Sequence, residues 1–177
     1  ADTSSLQLAK FYGDAQEKMT EVGSHLLFFT LELNKVDDAV IDAASSQNAG
    51  IAYYQPWLED LRKDKPHQLD DRIEQLFLEK SIAGRAAWNR LFDETMSALN
   101  FYVEGDVLAL EATLNLLQDS DPKRRKAASE ALSKTFKENL RLFTLITNTL
   151  AKDKEISDRW HVFDDVADSR HLANRIE

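Results

Sequence analysis

Apolar residues recur along the first forty positions at alternating intervals of four and three: Leu8, Tyr12, Ala15, Met19, Val22, Leu26, Phe29, Leu33, Val36 and Val40. That is an a/d heptad, the spacing that keeps one narrow seam of a helix against a neighbour. It predicts a first helix of roughly 50 Å at about 1.5 Å per residue. Leu27, Phe28 and Leu31 widen the apolar face, which favours an intramolecular bundle over a two-stranded coiled coil. Gly13 and Gly23 fall off the seam. Ser45 to Gly50 reads as a break, since small polar residues and glycine favour turns.

Beyond the break the signals are mostly helical. Pro56 suits the first position of a short helix reaching about Arg62, and Lys65-Pro66 ends it. Asp70 or Asp71 caps the next helix; with Asp71 as the cap, Glu74 sits three residues on and can reach back to the cap amide. Ser81 to Gly84 interrupts, and a further helix runs from about Arg85 to Leu99. Phe101-Tyr102-Val103 is the one plausible strand, with no evident pairing segment. A short helix follows, about Leu108 to Leu117. Asp121-Pro122 opens a second long helix with Ala128, Leu132, Phe136, Asn139, Phe143, Ile146 and Leu150 on one face. Ser157-Asp158 opens a shorter segment, and Arg170 to Glu177 reads as the start of a helix that runs on past the sequence. The expected fold class is all-α: an elongated lobe of six to eight helices, two of them long and antiparallel, with at most one short strand.

Composition narrows the function. The 177 residues suit one domain or a helical lobe of a larger protein. A net charge of −9 argues against nucleic acid, because phosphate binding needs a basic face. The run Lys123 to Lys126 is short and reads as a solvated helix start. No apolar run approaches the roughly 20 residues that span a bilayer, and no signal peptide is visible, so no membrane partner is expected. The lack of cysteine removes thiolate chemistry and fits a reducing cytoplasm.

Catalytic signatures are missing. Zinc hydrolysis on a helix needs two imidazoles one turn apart and a carboxylate to activate water. The histidines are His25, His67, His161 and His171; the closest two are ten residues apart and none precedes Glu. Glu21 and His25 share a helix face, but one such pair is more often a surface hydrogen bond than a metal site. No Glu-x-x-His, Gly-x-Ser-x-Gly or phosphate-binding glycine loop occurs. The acidic pairs Asp37-Asp38, Asp70-Asp71 and Asp164-Asp165 read as caps or solvated surface, since sequence neighbours point apart on a helix. Trp88, beside Leu91 and Phe92, reads as core; Trp57 with Tyr53 and Tyr54 could pack the long helix or face a cleft. No catalytic, cofactor-binding or metal residue is therefore assigned.

One resemblance goes further. The succession Lys65-Pro66-His67-Gln68-Leu69, then Gly84 to Glu94, Leu114 to Asp119, Arg125 to Ala128 and Arg170 to Arg175 resembles the helical N-terminal region of M3-family zinc metallopeptidases of the oligoendopeptidase F type. It implies that residues 1–177 are a single N-terminal domain of a longer peptidase that continues past 177, without the His-Glu-x-x-His motif. It implies further that this piece walls or lids a cleft for short peptides. The missing catalytic part would be its partner, zinc would belong to that part, and this chain alone would be inactive. Severed from that part, the chain is expected to self-associate through exposed apolar surface. The alternative is an independent helical interaction module that binds another protein through the heptad seam or the aromatic cluster.

Overall fold

The structure is a computed structural model that describes residues 5–176. The described residues are almost entirely helical. In chain order they form α1 (Leu6–Lys35), α2 (Asp38–Gln47), α3 (Ala49–Tyr53), α4 (Gln55–Arg62), α5 (Asp71–Lys80), α6 (Arg85–Ala98), β1 (Phe101–Val103), β2 (Asp106–Leu108), α7 (Leu110–Asn115), α8 (Pro122–Glu138), α9 (Leu140–Trp160) and α10 (Asp168–Asn174). Short 3-10 turns follow α4 at Lys65–His67 and α7 at Leu116–Gln118. The all-α class stands. No helix among the described residues is long and apolar enough to cross a membrane.

The chain gathers into two compact units, one of residues up to Gln16 with Ala83–Lys152, the other of Glu17–Ile82 with Asp153–Glu177. The first unit has its core around the strand the sequence singled out. Phe101 and Val103 are buried with Ala131 and Leu132 of α8, and Leu99, Leu108, Leu116 and Phe136 pack around them. Phe136 meets Phe101 and Phe143 edge-on at 5.7 and 6.2 Å. β1 was expected without a pairing segment, yet β2 pairs with it antiparallel, in the register Phe101↔Leu108 and Val103↔Asp106. The two-residue turn that joins them has φ of 53° at Glu104 and 100° at Gly105, the geometry that matches the strand twist.

In the second unit α1 lies antiparallel on α5. Ser24 meets Gln75 and Glu79 at one end, each hydrogen bond 3.1 Å, and Lys35 pairs with Asp71 at 2.6 Å at the other. α2 and α4 are likewise antiparallel, joined by Asp38 to Arg62 at one end and Ser45 to Gln55 (2.7 Å) at the other.

The long apolar faces break where a polar residue offers a competing bond. The first helix was expected to reach Val40. It stops at Lys35, because Asp37 takes an extended conformation (φ −63°, ψ 139°) and caps α2 through the Ala39 amide at 3.0 Å. The second long face breaks at Asn139. There Asn139 Nδ2 donates to the Thr135 carbonyl at 2.9 Å, and the chain leaves α8 at φ −101°, ψ 5°. Conversely, Ser157-Asp158 opens nothing: α9 runs through it to Trp160, with Asp158 paired to Lys154 one turn back. The last segment also differs from expectation. α10 closes at Asn174, with Arg175 left-handed (φ 53°) and the Arg175 and Ile176 amides donating to Leu172 and His171, both at 3.0 Å. Arg175 is held there by Asp60 at 2.9 Å and Asp64 at 3.2 Å; Glu177 lies outside the described residues.

Candidate functional site

The carboxylates singled out by sequence are structural. Asp37 and Asp70 cap α2 and α5. Asp70, not Asp71, is the cap of α5, and Glu74 reaches two residues further back than the Asp71 amide, accepting from the Leu69 amide at 2.8 Å. Asp165 shapes a turn by accepting from Ala167 N at 2.8 Å. Glu21 does not serve His25 first: it takes Lys18 Nζ at 2.5 Å, and that bond holds its carboxyl below the ordinary range, with His25 a smaller influence. Trp88 is half-buried, so it is neither full core nor open groove; Trp57 is exposed, as are Tyr53 and Tyr54, whose rings meet edge-on at 5.1 Å.

The second unit holds a polar pocket of about 270 Å³ beside the end of α1. Leu31, Leu61, Phe163 and Leu172 give it apolar walls, and Asn34, Asp64, Gln68, Glu74, His67 and His161 give it polar ones. Both histidines are engaged. His67 stacks on Phe163 at 3.8 Å and its Nδ1–H donates to the His161 carbonyl at 2.9 Å. His161 donates from Nδ1 to the Ser157 carbonyl at 2.7 Å, which turns its Nε2 toward Glu74, 3.6 Å away. Two buried amide oxygens, Asn34 Oδ1 and Gln68 Oε1, have no hydrogen-bond donor. Such atoms are costly in a folded chain, so among the described residues the junction of α1 with the segment at Gln68 is poorly satisfied. Sequence reasoning missed it: a single Asn on an otherwise apolar stretch of helix was the one signal available.

Among the described residues no group of three or more histidines and carboxylates could hold a metal ion.

The largest departure from expectation lies on α1. The middle of the heptad faces outward. Met19 is 75% exposed, Val22 56%, Leu26 63% and Phe29 54%. The face turned inward is instead the one with small and polar residues: Gly23 and Ser24 lie on α5, and Leu31 and Asn34 are buried.

Residues 32–101 match the family model for the N-terminal region of M3 peptidases, described as Oligopeptidase F. Over 99% of the chain the fold superposes on the crystal structure of oligoendopeptidase-F from Enterococcus faecium, with a TM-score of 0.86 at 17% identity. The chain spans 36% of that protein's length. No curated protein matches the sequence. The resemblance drawn from the short motifs is thereby borne out.

Proposed function

Because residues 32–101 carry the N-terminal region of the M3 oligopeptidase F family, we propose that this chain is the non-catalytic helical lobe of a zinc metalloendopeptidase acting on short peptides. In this reading it forms one wall or lid of the substrate cleft. The observation that carries it is the likeness in fold of 99% of the chain to about a third of a much larger oligoendopeptidase. Zinc, when bound by the rest of the parent, supplies an activated water and a Lewis acid. The lobe's contribution is steric: a rigid helical wall admits an extended peptide and turns away a folded protein, and it keeps bulk water from the cleft. The lack of cysteine suits a reducing compartment, and we place the parent in the cytoplasm.

Reading the gene beyond codon 177 and assaying its product tests this. A downstream His-Glu-x-x-His, fluorogenic peptide cleavage by the full chain and none by residues 1–177 are the expected results. A stop codon, or turnover by this chain alone, overturns the reading. The bare seam of α1 favours one alternative, an independent interaction module that binds another protein through that seam.

A further inference from the structure

We infer that the outward seam of α1, centred on Met19, Val22, Leu26 and Phe29, is one half of a helix-to-helix joint, and that the other half is an amphipathic helix from the rest of the parent chain. This rests on the reading of the chain as a lobe of a larger peptidase. The seam cannot be the ordinary scatter of surface leucines. Its four members keep the four-and-three spacing over three turns, and each is more than half exposed. Nor is α1 free to roll it inward. The opposite face is fixed to α5 by Ser24 with Gln75 and Glu79 and by Lys35 with Asp71.

The chemistry of the seam selects its occupant. An apolar stripe at heptad spacing receives the side chains of another helix between its own, knob into hole. A membrane surface or a polyanion would call for Lys and Arg along the flanks. Beside the seam lie Lys18, Glu21, His25 and Glu32, and Lys18 and Glu21 already pair with each other at 2.5 Å. Such flanks steer neither lipid nor phosphate. The source of the helix follows from size. The fold of this chain recurs as 36% of one longer polypeptide, so nearly two thirds of such a protein is available to cover the seam within one molecule.

The chain has no cysteine, so Leu26→Cys places a single thiol on the seam. Its rate of reaction with a maleimide is measured in residues 1–177 and in the full-length parent, any other cysteines there replaced by serine. Expected is rapid labelling of the isolated chain and labelling at least roughly tenfold slower in the parent, where the thiol reacts only when the joint opens. Equal rates in the two forms overturn the joint, while peptide cleavage by the full chain would leave the lobe reading standing. A gene that stops at codon 177 overturns both. Labelling of the isolated chain is read at a concentration where it is monomeric; a full-length parent in which the thiol is protected only as the parent itself dimerises overturns the intramolecular occupant in favour of a second copy.

Discussion

Two faces of one helix divide the second unit's behaviour. From Met19 to Phe29 the outward face of α1 carries large apolar side chains that lie mostly in water; from Gly23 to Asn34 the inward face carries Gly, Ser, Thr, Leu and Asn and is packed. Hydrophobicity alone would assign them the other way round. What decides is fit. Gly23 faces Leu78 of α5, whose Cδ2 would meet an added Cβ at an ordinary 4.0 Å, and Ser24 and Lys35 supply directional bonds on either side of that contact. A close, bonded contact fixes the inward face, and the bulkier face is left for something larger. The lesson is that a heptad marks where a helix will be met, not by which element.

The sharpest break in that comparison comes from two leucines on the same helix. Leu31 is 6% exposed and Leu26 63%. Leu31→Ala should cost about 2–4 kcal/mol, as buried leucine truncations do, measured by urea or guanidinium melts. A loss under about 0.5 kcal/mol would mean that the inward face is not the core side of α1.

Next in size is the clamp at the end of α1. Arg62, its side chain 10% exposed, donates to the carbonyls of Leu33 at 2.8 Å and Val36 at 2.6 Å, and pairs with Asp38. Arg62→Met keeps the stem but leaves those carbonyls without a donor, at a cost of about 2–3 kcal/mol by the same melts. The clamp also has a pH signature. Hydrogen bonds from Arg62 and then Lys65 hold the Asp38 carboxyl below its ordinary value. A carboxyl depressed in the folded state contributes stability above its unfolded pKa, and that contribution is lost as pH falls through the folded value. The loss therefore falls below about pH 4 and is small, because Asp38 is exposed. NMR titration should show the Asp38 carboxyl protonating below the ordinary aspartate range, and Arg62→Met should bring it most of the way back, with Lys65 keeping the remainder.

How much of this was legible in the chain depends on what each feature rests on. The helical class, the caps at Asp121-Pro122 and the Gly84 interruption follow from local residue chemistry and stand in the structure. β2 was not legible, since Asp106-Val107-Leu108 is too short to show alternation, and only the pairing with Phe101 makes it a strand. Asn139 reads as a face residue by spacing but ends α8, because its side chain competes for the Thr135 carbonyl. The orphaned oxygens of Asn34 and Gln68 depend on a junction formed by residues far apart in sequence, which no pattern along α1 announces.

Smaller, and opposite in sign, is the effect expected at Gly23. It costs about 1 kcal/mol relative to Ala in a helix interior, and an added Cβ meets only Leu78 at an ordinary contact distance. Gly23→Ala should therefore stabilise the chain by about 0.5–1 kcal/mol. Destabilisation instead would show that the inward face is closer to α5 than that distance allows.

The smallest effect on folding belongs to the seam itself. Leu26→Gln removes a large apolar side chain from the middle of a long helix, yet its melt should shift by no more than about 0.5 kcal/mol, since the side chain lies mostly in water already. Helix propensity does not intervene, because Gln and Leu are close to equal in a helix interior. What should change is association. The stripe from Met19 to Phe29 is the kind of contiguous apolar surface that draws isolated chains together, so sedimentation across a concentration series should show wild-type self-association that Leu26→Gln weakens. The two readouts must separate for the comparison to hold. If Leu26→Gln unfolds the chain as Leu31→Ala does, the two faces of α1 are not distinct. If it alters neither stability nor association, the seam carries no interaction of its own and the joint proposed for it loses its footing.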